Sequence, residues 1–389
     1  MTRILIIDDN LEMARTLCDS LADRGHKAVP LGSGKRAIDL LEREPFDAVI
    51  TDLRMADADG LTVLAEARRL DPVRPVLIMT AYGAVDTAIE SIRRGAYHYL
   101  TKPFKHEELI LFLERALEEA SVRKEAMALR SALKDRFSSK HIVGRSKPMA
   151  SVLDIISRVA DASMPVLVMG ETGTGKTLIA RALHAESKRE KGPFVQVNCA
   201  ALPDTLLESE LFGHTRGAFT GAHESRPGLF VEASGGTLFL DEIGDLALGL
   251  QAKLLHAIER GVVRPLGSEK EQTVDVRIIA ATNRDLHQAA RDGKFREDLL
   301  YRLDVVSIEV PPLRHRRADI LPLADFFLQE AKSRHADSPV ERFSREVADV
   351  LGRYGWPGNV RELSHVIEKL VVLGRSAEIS ALELPPSFR

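Results

Sequence analysis

Cysteine is nearly missing from this chain, with Cys18 and Cys199 the only two among 389 residues. Two thiols so far apart in sequence make neither a disulfide framework nor a thiolate metal site, which favours a reducing compartment. An excess of either charge is missing as well: 54 Lys and Arg face 57 Asp and Glu, for a net charge of −3. That balance excludes a chain that coats nucleic acid or anionic membrane by bulk electrostatics, so any DNA contact has to be local. No segment reaches the roughly 18 unbroken apolar residues of a membrane span. The opening MTRILIIDDN sets two acids after only four apolar residues, which fits neither a signal peptide nor a span. The expected location is the cytoplasm, with no membrane partner. There is no internal repeat and no low-complexity tract. What remains is ordinary, with 44% hydrophobic and 29% charged residues, so a sizeable core can form. At about 150 residues per domain the length implies between two and three domains.

Through about residue 120, short apolar runs (ILII, AVI, VLIM, YHYL) alternate with stretches of helical period such as EMARTLCDSLAD and TVLAEARRL. That alternation predicts βα units around a parallel sheet, a doubly wound, flavodoxin-like α/β domain over residues 1–120. From His106 to Arg136 neither Gly nor Pro interrupts the chain, so the domain's last helix is expected to run on through a helical linker, residues 121–140. Ile110, Leu113, Leu117 and Ala120 keep a spacing that suits either a short dimer seam or packing on their own domain. A second α/β pattern, with PVLVMG, FVQVNC, GTLFLDE and VRIIAATN as buried strands, spans residues 141–310, and charged helical stretches over 311–389 read as an all-helical lid.

Four strands of the first domain deliver polar groups to one sheet edge. Asp8 and Asp9 close ILII, Asp52 closes AVIT, Thr80 closes VLIM, and Lys102 follows YHYL. Ligand sites of open parallel sheets lie at the carboxyl ends of their strands. Clustered carboxylates suit Mg²⁺, and a lysine with a hydroxyl can hold the oxygens of a phosphoryl group carried on one carboxylate. Any one of these acids alone reads as a helix cap; their joint spacing with TKP points to a phosphoacceptor. On these residues the domain resembles the response-regulator receiver family. The resemblance implies that Asp52 is phosphorylated by a sensor histidine kinase, that Asp8, Asp9 and Asp52 hold Mg²⁺, and that Thr80, Tyr99 and Lys102 form the switch, with Pro103 as the usual cis proline. Ala56 departs from the proline common in that family.

In the second domain, GETGTGKT (Gly170, Glu171, Thr172, Gly173, Thr174, Gly175, Lys176, Thr177) follows a strand and opens a helix, the context that a phosphate-binding loop requires. Its glycines turn backbone N–H groups toward phosphates, Lys176 reaches the terminal phosphates, and Thr177 can ligate Mg²⁺. The strand GGTLFLDE ends in Asp241, placed for the Mg²⁺ shell, and Glu242, placed to polarise water; this pair argues for ATP hydrolysis beyond mere binding. Asn283, ending VRIIAATN, can orient water or sense the γ-phosphate, although alone it reads as a turn residue. Arg296 and Arg302, six positions apart, can project from one helical segment toward a phosphate or form surface salt bridges.

GAFTGA (Gly217, Ala218, Phe219, Thr220, Gly221, Ala222) is a glycine-bounded loop with one aromatic, suited to insertion into a partner or to local packing. With it, the stretch from His141 to Arg389 resembles the bacterial enhancer-binding proteins of the AAA+ class, the NtrC-type activators that depend on sigma-54. The resemblance implies that GAFTGA engages sigma-54 RNA polymerase and that Asn198 restrains Glu242. It also implies that Arg296 and Arg302 act in trans within a homo-oligomer, dimer to hexameric or heptameric ring. Arg361 in WPGNVREL would touch nucleotide, and Val143 with Gly144 would begin the adenine pocket. Thr177 departs from the glutamate common there. Other readings are a receiver-controlled AAA+ remodeller of another client, or a non-hydrolysing nucleotide switch. After Glu378 no helix-turn-helix pattern follows, so specific DNA binding is not expected of the chain as given.

Overall fold

The computed structural model describes residues 2–81, 85–137, 139, 142–144, 146–219 and 222–388, the side chains of 85–88, 126–137 and 387 excepted. Two compact units result, Met1–Ala132 and Leu133–Arg389.

In the first unit, strands and helices alternate: β1 (Arg3–Ile7), α1 (Leu11–Ala22), β2 (Lys27–Leu31), α2 (Gly34–Arg43), β3 (Ala48–Asp52), α3 (Gly60–Leu70), β4 (Val76–Ala81), α4 (Val85–Arg93), β5 (His98–Lys102) and α5 (His106–Phe137). The strands form one parallel sheet in the order β2-β1-β3-β4-β5. Strand β1 is apolar on both faces because helices cover both: Ile4 and Ile6 face one core with Leu17, Leu21 and Leu113, while Leu5 and Ile7 face the other with Val63 and Leu64. Each such fully buried side chain contributes about 1.5–3 kcal/mol. Asn10, Ser33 and Asp59 start α1, α2 and α3 by accepting backbone N–H bonds of the first turn. The expected long helix is present as 32 residues in α5. Its stripe is not left for a dimer: Ile110 and Leu113 are buried in the unit's own core, Leu117 packs on it, and Ala120 is buried. A face that can bury against its own sheet does so, which leaves the seam reading without its residues.

The second unit begins with α6 (Lys147–Val159), β6 (Val166–Met169), α7 (Lys176–Ala185), β7 (Phe194–Asn198) and α8 (Asp204–Phe212). A short antiparallel pair, β8 (Gly213–His214) and β9 (Arg226–Pro227), then brackets the GAFTGA segment and leads to α9 (Leu229–Glu232). There follow β10 (Thr237–Asp241), α10 (Leu248–Arg260), the hairpin β11 (Val262–Val263) and β12 (Gln272–Thr273), β13 (Arg277–Thr282), α11 (Leu286–Arg291), α12 (Glu297–Leu303) and β14 (Ser307–Glu309). The main sheet is parallel in the order β14-β6-β13-β10-β7, with one apolar core on each face. The lid carries α13 (Ile320–Arg334), α14 (Arg345–Arg353) and α15 (Asn359–Leu373), together with a two-residue parallel ladder of β15 (Arg342–Phe343) and β16 (Glu378–Ile379). Its core surrounds Trp356, which is fully buried and donates its indole N–H to Leu351 O at 2.9 Å.

Among the described residues, no helix is long and apolar enough to cross a membrane.

Candidate functional sites

The first site lies at the carboxyl edge of the receiver sheet. Register sets Asp52 beside Met79 and Thr80 beside Thr101, so the ends of β3, β4 and β5 are brought level. Asp8 is fully buried, Asp52 and Thr80 are buried, and Asp9 is exposed. Lys102 Nζ stands 2.6 Å from Asp8 Oδ2 and 2.6 Å from Asp52 Oδ1. Burial works against the Lys102 ammonium, but the hydrogen bonds it donates to Asp52 and Asp8 and their negative charge together outweigh it and hold its pKa above the usual value. Two carboxylates that already hold an ammonium suit a divalent cation; among the described residues, no three acidic, His or Cys side chains converge as a metal cage. Asp9 follows Asp8 at the same edge and is exposed, while Lys102 spans Asp8 and Asp52. Tyr99 is half-buried and stacks beside His98 at 5.6 Å, and the Lys102–Pro103 peptide is cis. Opposite Ala56, the loop after Asp52 is held by Asp57, whose carboxylate accepts from Ser33 Oγ, Gly34 N and Lys35 N. The Ser33 hydroxyl first, then these backbone donors, draw its pKa down to about 2.

The second site is built from both parts of the C-terminal unit. A cavity of about 330 Å³ is lined by Thr172, Gly173, Gly175, Lys176, Thr177, Asp241 and Glu242 on the sheet side, and by Phe327, Val360, Arg361 and Ser364 on the lid side. Gly170, Gly173 and Gly175 take positive φ, which turns the loop between β6 and α7 around that cavity. Lys176 is buried and its Nζ donates to Gly170 O at 3.0 Å and Glu171 O at 3.4 Å, with Glu242 Oε1 at 3.8 Å. Glu242 itself holds φ 53°, a left-handed conformation that costs a non-glycine residue of order 1 kcal/mol and marks a constrained site. Its Oε2 is buried with no hydrogen-bond partner among the described residues. Asp241 Oδ1 accepts the Glu242 N–H at 3.1 Å.

Asn198 lies in register with Asp241 on the adjacent strand, but its amide oxygen accepts from Ala200 N–H at 2.8 Å and no hydrogen bond joins it to Glu242 among the described residues. Asn283 reaches the phosphate loop, its Nδ2 donating to Thr172 Oγ1 at 3.0 Å. The two arginines lie at opposite ends of one short helix: Arg296 is at the N-cap position of α12 and pairs with Asp298 at 2.7 Å, whereas Arg302 lies in the last turn and lines a separate 430 Å³ cavity with Met164 and Val305. Neither lines the cavity of this chain's own phosphate loop. Val143 packs against the lid core and Gly144 lies beside Met149 and Asp319, so both fall at the seam between the sheet domain and the lid, outside the 330 Å³ cavity lining.

The strands that bracket GAFTGA meet at a base that only glycine allows. A Cβ on Gly213 would meet Gly228 N at 2.6 Å, and one on Gly228 would meet Gly213 N at 2.4 Å, so the two strands cross in backbone contact. Gly217 N–H donates to Ala222 O at 2.9 Å and Phe219 is 39% exposed, its ring edge-on to His214 at 5.1 Å. Thr220 and Gly221 lie outside the described residues.

Several residues escaped the sequence reading. Asn359, fully buried with φ 53°, donates to Glu171 Oε2 and Thr172 O at 3.1 Å each and accepts Leu313 N–H at 2.8 Å. Arg314 forks onto Glu171 at 2.8 and 2.5 Å. Arg316 donates to Thr174 O at 2.8 Å, and Asp319 accepts Ser146 N–H and Oγ–H at 2.8 and 2.6 Å. The basic run RHRR after two prolines was the available signal, since three arginines at the start of a lid need partners.

These folds and sites define a receiver domain joined to a AAA+ unit with a helical lid. Family models agree by segment: a response regulator receiver domain over residues 4–114, a sigma-54 interaction domain over 142–309 and a AAA+ ATPase lid domain over 314–389. The transcriptional regulatory protein ZraR of Klebsiella oxytoca is 46% identical over 382 residues, covering 98% of this chain and 85% of that protein. The regulatory protein AtoC of Escherichia coli K12 is 45% identical over 389 residues, covering 100% and 84%. NtrX from Brucella abortus, crystallised in complex with ATP, superposes with a TM-score of 0.73 at 34% identity, covering 100% of this chain and 85% of that one. The chain belongs to the NtrC-type sigma-54-dependent response regulators, two-component transcriptional activators with a receiver and a sigma-54-activating AAA+ domain.

Proposed function

We propose that this chain is phosphorylated on Asp52 by a sensor histidine kinase, and that its AAA+ unit hydrolyses ATP to remodel sigma-54 RNA polymerase at a promoter. The observation that carries the reading is the cavity in which Lys176, Asp241, Glu242 and Arg361 converge from two subdomains. Lys176 leaves its backbone acceptors to grip the terminal phosphates, Asn283 holds the loop through Thr172, and Arg361 contributes lid charge. The unpartnered Glu242 Oε2 takes the proton of the attacking water, in an order of events where Asn198 serves to restrain the glutamate. Thr177 and Asp241 would hold Mg²⁺, which supplies charge neutralisation at the β- and γ-phosphates, and Asp8, Asp9 and Asp52 would hold it in the receiver. In a homo-oligomer from dimer to hexameric or heptameric ring, Arg296 and Arg302 serve a neighbour's nucleotide; the reading is supported by Arg302 lining a different cavity and Arg296 pairing with Asp298. GAFTGA is the sigma-54 contact, supported by its exposed Phe219 on a glycine-hinged base.

Two assays test this. A small phosphodonor with Mg²⁺ is expected to label the wild-type chain and to leave Asp52→Asn unlabelled; equal labelling of both sinks the acceptor assignment. Transcription from a sigma-54 promoter is expected to fail with Phe219→Ala while phosphate release from ATP persists, and retained transcription would remove GAFTGA from the polymerase contact.

A further inference from the structure

The lid meets the phosphate loop through a side chain that phosphate binding does not itself require. Glu171, the second residue of the loop, points its carboxylate at the lid, where Arg314 forks onto both oxygens and Asn359 donates to Oε2. Asn359 is the first residue of α15, and the two N–H groups that follow it, of Val360 and Arg361, both donate to Gly173 O, at 3.0 and 3.3 Å. The approach is close enough that a Cβ on Gly173 would meet Gly358 O at 2.4 Å. Arg361, which lines the nucleotide cavity, therefore takes its position from a backbone pinned to the loop at Glu171 and Gly173.

We propose that Glu171, Arg314 and Asn359 form a clasp that holds the start of α15 on the phosphate loop and thereby positions Arg361 for nucleotide; they are positioning residues, and the proposal rests on the ATP-binding reading of this cavity. The electrostatics favour a positional role over attraction. An acid in a phosphate loop repels phosphate, so Glu171 is of use to nucleotide only for what it holds. Its pairing with Arg314 first, and with Asn359, draws its pKa down to about 2, so it is a fixed anion at any working pH. Both charged ends are partly exposed, at 39% and 43%, so the pair adds little to global stability, while its two-pronged geometry fixes orientation.

The test is the dissociation constant of a fluorescent ADP analogue for the full chain and for Glu171→Gln, Arg314→Ala and the double variant, alongside melting temperatures. A clasp predicts that each single variant weakens binding about tenfold, that the double variant matches either single, and that KM for ATP rises by more than kcat falls. Melting temperatures are expected to stay within a few degrees of wild type. Should Glu171→Gln bind as tightly as wild type, or more tightly while Arg314→Ala binds weakly, the pair only neutralises charge and the clasp is overturned. Additive losses in the double variant overturn it as well. Failure of the wild-type chain itself to bind ADP would instead bring down the ATP-binding reading, and the clasp with it.

Discussion

Lys102 and Lys176 each stand at the carboxyl edge of a parallel sheet beside aspartate or glutamate, yet the two ammonium groups are used differently. Lys102 is spent within its own unit, 2.6 Å from each of two buried or nearly buried carboxylates, and the site is complete in one domain. Lys176 leans on backbone carbonyls with its carboxylate partner 3.8 Å away, in a cavity that needs the lid to close it. The receiver site ties one ammonium between two carboxylates, an arrangement that the proposed phosphorylation of Asp52 would have to rearrange. The nucleotide site leaves a carboxylate oxygen unpartnered and distributes its walls over two subdomains, so that a ligand can set their relation.

The largest effect that would sharpen this contrast is on turnover. Glu242→Gln is expected to retain ATP binding and lose hydrolysis by about 10²–10⁴-fold, whereas Lys176→Ala loses tight binding itself. Phosphate release and equilibrium nucleotide binding separate the two, and near-normal turnover in Glu242→Gln would move the general base elsewhere. Next in size is Trp356→Ala, which empties the lid core and is expected to cost about 3–5 kcal/mol in denaturant unfolding of the C-terminal unit. Nucleotide affinity should fall with it while phosphodonor labelling stays normal, because the receiver site owes nothing to the lid. Loss of labelling in that variant would break the contrast.

A smaller effect concerns α5. Leu113→Ala, at a fully buried position, is expected to destabilise the receiver by about 2–5 kcal/mol, whereas Val122→Ala, at 64% exposure, should change stability by less than about 0.5 kcal/mol. A large effect at Val122 on dimer dissociation would return α5 to the role of a seam.

The smallest effect is on pH. The Lys102 pKa is raised, so its stabilisation is complete below the usual 10.5 and is lost as pH rises through the higher folded value. The Glu171 pKa is lowered from the usual 4.5 to about 2, so its contribution is complete above 4.5 and is lost as pH falls toward 2. Neither pair should add slope to stability between about pH 5 and pH 10. Unfolding midpoints across that range check this, with the alkaline loss assigned to the receiver and a slighter acid loss to the clasp, whose exposure screens it.

Much of this was legible in the sequence because it is local. Strands such as ILII and RIIAAT are apolar without alternation, as buried parallel strands must be, and the motifs follow them directly. Strand β2 was not legible: KAVPL is an edge strand, only half-buried and carrying Pro30, so it lacks the continuous apolar run that marked its neighbours. Strand β14 is three residues long and escaped for the same reason. The stripe on α5 fitted either a seam or a core, since periodicity records that a face is buried but not against what.

By itself, the sequence determined which groups end the strands, Asp52, Asp241, Glu242 and Asn283, and where the phosphate loop turns, because strand ends and glycine conformations are dictated within a few residues. Tertiary structure alone decided that Asp9 stays exposed while Lys102 spans Asp8 and Asp52, and that Glu171 belongs to the lid. Those outcomes join residues as far apart as Glu171 and Asn359, and a side chain's choice among competing partners is made by distance in the folded chain, which no local pattern encodes.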